Sequence, residues 1–148
     1  MRTIDIHGYF GNSPIPGQAA NRAQLIDLLK SRGVDRACLF SAHAISVDPL
    51  AGNRMMSAIT DSSDSLFGVL VAHNNRPDPS IQAIRELMGN RQFVGLALTS
   101  AESDRSVSRS SVEDILQAHR RYGKPLFIYA PHSQAVRQAA EIATAYPI

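Results

Sequence analysis

Five short apolar runs, each followed by a stretch of helical period, constrain this chain more than any other feature. The runs fall at Thr3–Ile6, Arg36–Phe40, Leu66–Ala72, Phe93–Leu98 and Pro125–Tyr129. None alternates polar with apolar residues, which is the pattern of parallel strands covered on both faces. A strand, a helix and a parallel strand in succession make a right-handed crossover almost without exception. The five runs therefore predict one parallel α/β sheet with its helices outside.

The intervening helices carry their own punctuation. Gln18–Arg32 sets Leu25, Leu28 and Leu29 on one side and stops at Gly33, a C′ glycine. Leu50–Asp61 contributes Met55, Met56 and Ile59. Asp78-Pro79-Ser80 reads as N-cap, N1 proline and helix entry, with Ile81, Ile84, Leu87 and Met88 behind it. Ser110 and Glu113 have capping-box spacing ahead of a helix that buries Val112, Ile115 and Leu116, turns His119 to the sheet as a structural residue, and ends before Gly123. An alanine-rich helix over Ser133–Ala145 ends before Pro147.

Two architectures satisfy this pattern. One is an open doubly wound sheet of the flavodoxin type. The other is about five of the eight (βα) units of a TIM-type barrel, which typically needs about 250 residues. Both place working groups at the C-terminal ends of the strands. No linker or second composition zone interrupts residues 1–148, which read as one domain.

Composition narrows the classes of function. Apolar residues make up 44% and charged residues 19%, values of a globular domain rather than a disordered chain. The net charge is only +2, and the arginines that dominate its basic residues are scattered, so no nucleic-acid footprint is formed. No charged-then-apolar leader opens the chain and no apolar run reaches membrane-spanning length, so neither a membrane nor export is expected and a cytoplasmic location is. Cys38 lies in the apolar run Ala37-Cys38-Leu39-Phe40 and reads as a small hydrophobe. Dinucleotide, Walker, nucleophile-elbow and Cys-x-x-Cys motifs are absent. The acidic cluster of a phosphoryl acceptor is absent too: the first strand offers only Asp5, while Asp48 and Asp104 fall in loops.

Several segments resemble one known family in order and spacing. Ile4-Asp5-Ile6-His7-Gly8-Tyr9 is similar to the opening strand of the amidohydrolase-related barrel hydrolases and decarboxylases, which ends in His-x-His. "LLKSRGVDRACLF" resembles that family's first helix and second strand. "AISVDPLAGNRMMSAI" resembles its Asp-x-x-x-Gly-Asn run into a second helix. "LFGVLVAHNNRPDPSIQAIREL", "FVGLALTS" and "GKPLFIYA" stand where the family has its third, fourth and fifth units. The resemblance implies a barrel, and hydrolysis or non-oxidative decarboxylation of a small carboxylate- or amide-bearing substrate with a divalent metal, zinc or manganese.

The departures fall at the metal centre. The second imidazole is replaced by Tyr9, the fourth-strand lysine by Ala97, the histidine two residues on by Thr99, and the fifth-strand histidine by Tyr129. His7 alone transfers as a metal ligand. A catalytic zinc needs three protein ligands and an open position, so a degenerate site is expected, with His7 and His132 as metal or base groups. Tyr9, His43, His73, Thr99 and Tyr129 then line the substrate pocket. Asp5 shares a strand face with His7 and reads either as a partner that orients the imidazole or as a carboxylate satisfied by backbone amides. A non-catalytic binding or scaffolding protein on a degenerate barrel, and a flavodoxin-like ligand binder, are the competing readings. Five barrel units leave two strand edges unpaired, so a homo-oligomer, or the rest of a longer barrel, is the expected partner.

Overall fold

The computed structural model describes residues 3–11, 21–99 and 107–146. Its strands are β1 (Ile4–Phe10), β2 (Arg36–Ser41), β3 (Leu66–His73), β4 (Phe93–Thr99) and β5 (Leu126–Ile128). The helices are α1 (Arg22–Ser31), α2 (Ala42–Ser46), α3 (Pro49–Thr60), α4 (Pro77–Leu87), α5 (Arg109–Arg120) and α6 (Ser133–Ala145). Every strand pair is parallel, and the order is β1-β2-β3-β4-β5. That order decides between the two architectures. A doubly wound sheet reverses at a switch point, whereas here each strand lies beside its predecessor, as in a (β/α) barrel. The flavodoxin-type sheet is excluded, and the strands form a curled half-barrel.

Alternation along the strands separates two apolar layers. Leu39, Leu70, Ala72, Leu96 and Leu98 face outward and pack with Leu25, Met56, Ile84, Ile115, Leu116 and Ile142 from the helices. Phe40, Val69, Val71 and Ala97 form the inner layer, joined by Ala44 of α2 and by Phe127. His119 is buried on the outer side, as its helical spacing predicts.

Element ends shifted from expectation for identifiable reasons. β1 continues past Ile6 because Tyr9 and Phe10 pair with Phe40 and Ser41. β5 keeps only Leu126–Ile128, since Pro125 has no N–H to give to the ladder. α1 starts at Arg22, with the Asn21 side chain accepting from the Gln24 amide; residues 18–20 lie outside the described set. α4 begins two residues earlier than an Asp78 cap would set it, with Pro77 in its first turn. There the Ser80 hydroxyl donates to the Arg76 carbonyl at 2.7 Å and accepts the His73 amide at 2.9 Å, closing the turn early. The Ser110 capping box does not form. Ser108 caps α5 instead, and Glu113 is drawn to the Tyr146 hydroxyl. α2 is an addition, too short for its period to be read from sequence.

The Asp48, Gly52 and Asn53 run is explained by packing. Asp48 caps α3 by accepting the Ala51 amide at 2.6 Å. At Gly52 a Cβ would lie 2.2 Å from the Ala44 nitrogen, so only glycine lets α3 approach α2 this closely. Asn53 is fully buried, and its side chain bonds to both backbone groups of Val71: Oδ1 accepts from the amide at 2.9 Å and Nδ2 donates to the carbonyl at 2.8 Å. The last β2–β3 pair is Phe40 with Val69, so Asn53 extends the ladder by one rung after β2 has left it. Asn53→Ala leaves two buried backbone groups unpaired and is expected to cost about 3 kcal/mol or more, read as a lower urea midpoint with m unchanged.

His73 and His119 are 2% and 1% exposed, and burial is the main force lowering the pKa of each below the ordinary 6.5. The unfolded chain takes up these protons first as pH falls through 6.5. Stability is therefore lost below that pH, down to the depressed folded-state values, by up to about 1.4 kcal/mol per pH unit for each group. Thermal melts between pH 7.5 and 5.5 should show the fall, and His119→Leu should remove its share of the slope.

Candidate functional site

The site begins with an irregularity in β1. Asp5 pairs with Ala37 and Gly8 with Leu39, so β1 holds one residue more than β2 between these points. This is a β-bulge, a device that re-aims side chains near a sheet edge. The Asp5 Oδ1 accepts the His7 amide at 2.9 Å and secures the extra residue. Of the two roles open to Asp5, the structure gives it the backbone amide rather than the imidazole. Gly8 leaves the space the bend needs, because a Cβ there would lie 2.9 Å from a Leu39 methyl.

His7 within the bulge and Tyr9 just past it stand side by side toward the inner face. The His7 Nε2 and the Tyr9 hydroxyl are 2.9 Å apart and hydrogen-bonded. Both rings rest on Phe40, with centroids 4.7 and 5.9 Å away, and Phe40 meets Phe127 edge-on at 5.6 Å. The Tyr9 phenol is pushed above its ordinary pKa, first by burial and then by the nearby Tyr129 phenol, so it stays protonated at neutral pH. An exposed imidazole and phenol thus share an aromatic support, with the exposed Tyr129 near enough to be felt by Tyr9. Phe40 and Phe127 escaped the sequence reading because they look like ordinary core. The available signal was that Phe127 lies two residues before Tyr129, on the same face.

The other expected residues are placed differently. His73 pairs with Thr99 across β3 and β4 at the strand ends. Its ring lies inside the protein, with Nε2–H donating to the Ala44 carbonyl at 2.8 Å. His43 sits in α2, half-buried, and its carbonyl receives the Val47 and Asp48 amides. Tyr129 is exposed just past β5, its amide directed at the Leu98 carbonyl. His132 is the N-cap of α6, where its Nδ1 accepts the Ala135 amide at 3.2 Å. The structure pairs His7 with Tyr9, sets His73 beside Thr99, and leaves Tyr129 exposed past β5 and His132 at a helix end.

A divalent metal does not fit what these residues offer. No group of three His, Cys, Asp or Glu side chains among the described residues is arranged to hold an ion. His7 Nε2 is engaged by Tyr9, and one carboxylate oxygen of Asp5 accepts the His7 amide. Among the described residues no helix is long and apolar enough to cross a membrane.

Sequential parallel strands, helices outside and polar groups at the C-terminal strand ends define a partial (βα) barrel. Among solved structures it is similar to 5-carboxyvanillate decarboxylase from Novosphingobium aromaticivorans, complexed with manganese and 4-hydroxy-3-methoxy-5-nitrobenzoic acid. The TM-score is 0.70 at 14% identity, over 98% of this chain and 55% of that one. 2,6-dihydroxybenzoate decarboxylase from Rhizobium overlays with a TM-score of 0.59 at 11% identity, over 99% and 55%. A probable 2-pyrone-4,6-dicarboxylic acid hydrolase from Acinetobacter baumannii, with citric acid bound, gives 0.60 at 16%, over 85% and 48%. All three are enzymes of the amidohydrolase superfamily, so the resemblance seen in the sequence holds as a likeness of fold. The chain spans about half the length of each. No protein-family model and no curated protein matches it.

His132→Ala should lower stability by about 1 kcal/mol through loss of the cap, and His132→Asn should restore it. Chemical denaturation of the three proteins checks this.

Proposed function

We propose that the chain forms the N-terminal units of an amidohydrolase-type barrel, with a degenerate metal site and a strand-end crevice that takes a small carboxylate- or amide-bearing molecule. The reaction class is hydrolysis or non-oxidative decarboxylation, on a protein of the cytoplasm. The observation that carries this reading is the His7–Tyr9 pair on its aromatic floor, at the C-terminal strand ends of a fold otherwise met in such enzymes. Aromatic walls favour flat ligands by stacking, and protonated phenols donate to carboxylate oxygens. His7 is the group placed to move a proton at the crevice, with Tyr9 fixing its ring through Nε2. Zinc or manganese is the ion this reaction class draws on, and its ligand set is not supplied by the described residues.

A second reading, a binding or scaffolding protein without turnover, is favoured by Ala97, which fills the inner layer where the family's lysine would stand. The two readings separate in one experiment. Tag-free protein is offered hydroxybenzoates and small dicarboxylates, with and without added zinc or manganese, while binding and release of carbon dioxide or hydrolysis product are followed. Binding with turnover supports the enzyme, binding alone supports the scaffold, and neither removes the proposal.

The edges bear on the partner. Ile4 and Ile6 of β1 are 54% and 63% exposed, and among the described residues β1 and β5 each have a single strand neighbour. Unpaired edges with exposed apolar residues invite pairing. In this reading they are covered, by a second copy or by further barrel units. A sharp monomeric peak of this chain in size exclusion with light scattering counts against such association.

A further inference from the structure

We infer that the place of the first-strand metal ligands is taken in this chain by a hydrogen-bonded imidazole–phenol pair, and that Asp5 is the positioning residue that builds it. The inference deepens the proposed reading of the same crevice by stating what stands there instead of a bound ion.

Three observations converge on it. The first concerns the nitrogen. His7 Nε2 and the Tyr9 hydroxyl are 2.9 Å apart. With the phenol as donor, the Nε2 lone pair is occupied; with Nε2–H as donor, that nitrogen carries a proton. In either tautomer a cation at Nε2 must first displace the phenol or the ring proton, since a metal-bound imidazole nitrogen must offer a free lone pair.

The second observation concerns the other candidate ligands. Asp5, the one carboxylate on this strand, gives Oδ1 to the His7 amide. His73 spends its Nε2–H on the Ala44 carbonyl and is closed off from solvent, and His132 spends Nδ1 on the Ala135 amide. Each engaged nitrogen or oxygen holds protein to protein.

The third is the construction of the pair. His7 and Tyr9 are two apart, and residues so spaced share a strand face. The bulge between Asp5 and Gly8 sets that face inward, and Phe40 supports both rings from below. Without the Asp5 carboxylate, the His7 amide at the extra residue loses its partner and the bulge loses its tie. Asp5 therefore acts on the crevice through the backbone of His7, without touching a ligand.

The test needs no substrate, so its failure is distinct from failure of the proposed activity. Tag-free chain is stripped with chelator, offered zinc and then manganese, desalted, and its metal measured. Wild type and His7→Ala should retain the same small amount, well below about one ion per chain. One ion per wild-type chain, lost in His7→Ala, overturns the inference. At fixed pH, the ring nitrogens of His7 are then read by long-range proton–nitrogen correlation. Tyr9→Phe should shift the Nε2 signal, and so should Asp5→Ala, while Asp5→Asn, which keeps an acceptor oxygen, should leave it near its wild-type position. A His7 signal indifferent to Tyr9→Phe overturns the pair, and one that Asp5→Ala leaves in place overturns the role of Asp5. Circular dichroism of each variant confirms that the comparison is between folded proteins.

Discussion

The grip of Asn53 on the backbone of Val71 is the interaction on which the rest of this architecture hangs. β2 turns away into α2 after Ser41, and without a substitute β3 would carry an unpaired amide and carbonyl into the core. Asn53 supplies both partners from one side chain and ties α3 to the sheet where a strand neighbour has been lost. Gly52, next to it, lets α2 lie against α3, and the Ala44 carbonyl of α2 in turn takes the His73 ring. A backbone problem at one strand end is thereby converted into the placement of two histidine-bearing segments at the mouth of the half-barrel.

The crevice is built by a second local device of the same kind. An extra residue in β1, tied by Asp5, presents His7 and Tyr9 together, and Phe40 of β2 gives both a common support. The two devices are alike in that a short polar side chain satisfies backbone groups the regular ladder leaves over. Buried backbone groups are seldom left unpaired, and in this chain the residues that pair them also aim the residues of the crevice. The aromatic floor then sets the character of the site: apolar below, with an imidazole and phenols at the rim.

Much of the fold could be read directly. Five apolar runs without alternation announced parallel strands, Gly33 marked the end of the first helix, and Ser133–Ala145 was delimited correctly by its composition and Pro147. Caps were read less well, because the side chains that closed α4 and α5 answered to distant partners. Ser80 was claimed by His73, and Glu113 by Tyr146 across 33 residues. The site residues were legible as a set of strand-end groups, but not in their roles. Nothing in the spacing of His132 separates a base from a helix cap, and nothing in Asp5 tells an imidazole partner from a backbone tie.

By itself, the sequence determined that this is a single run of parallel (βα) units with its polar groups at the strand ends, because hydrophobic period and crossover handedness are local properties of the chain. Only the tertiary structure decided that the strands stand in order as a half-barrel, since strand order depends on which edges meet and periodicity carries no record of that. It also decided that His7 faces a phenol, that His73 is sealed inside and that His132 caps a helix. Those outcomes turn on hydrogen bonds a few tenths of an ångström in tolerance, and a residue's identity does not say which partner will come within reach.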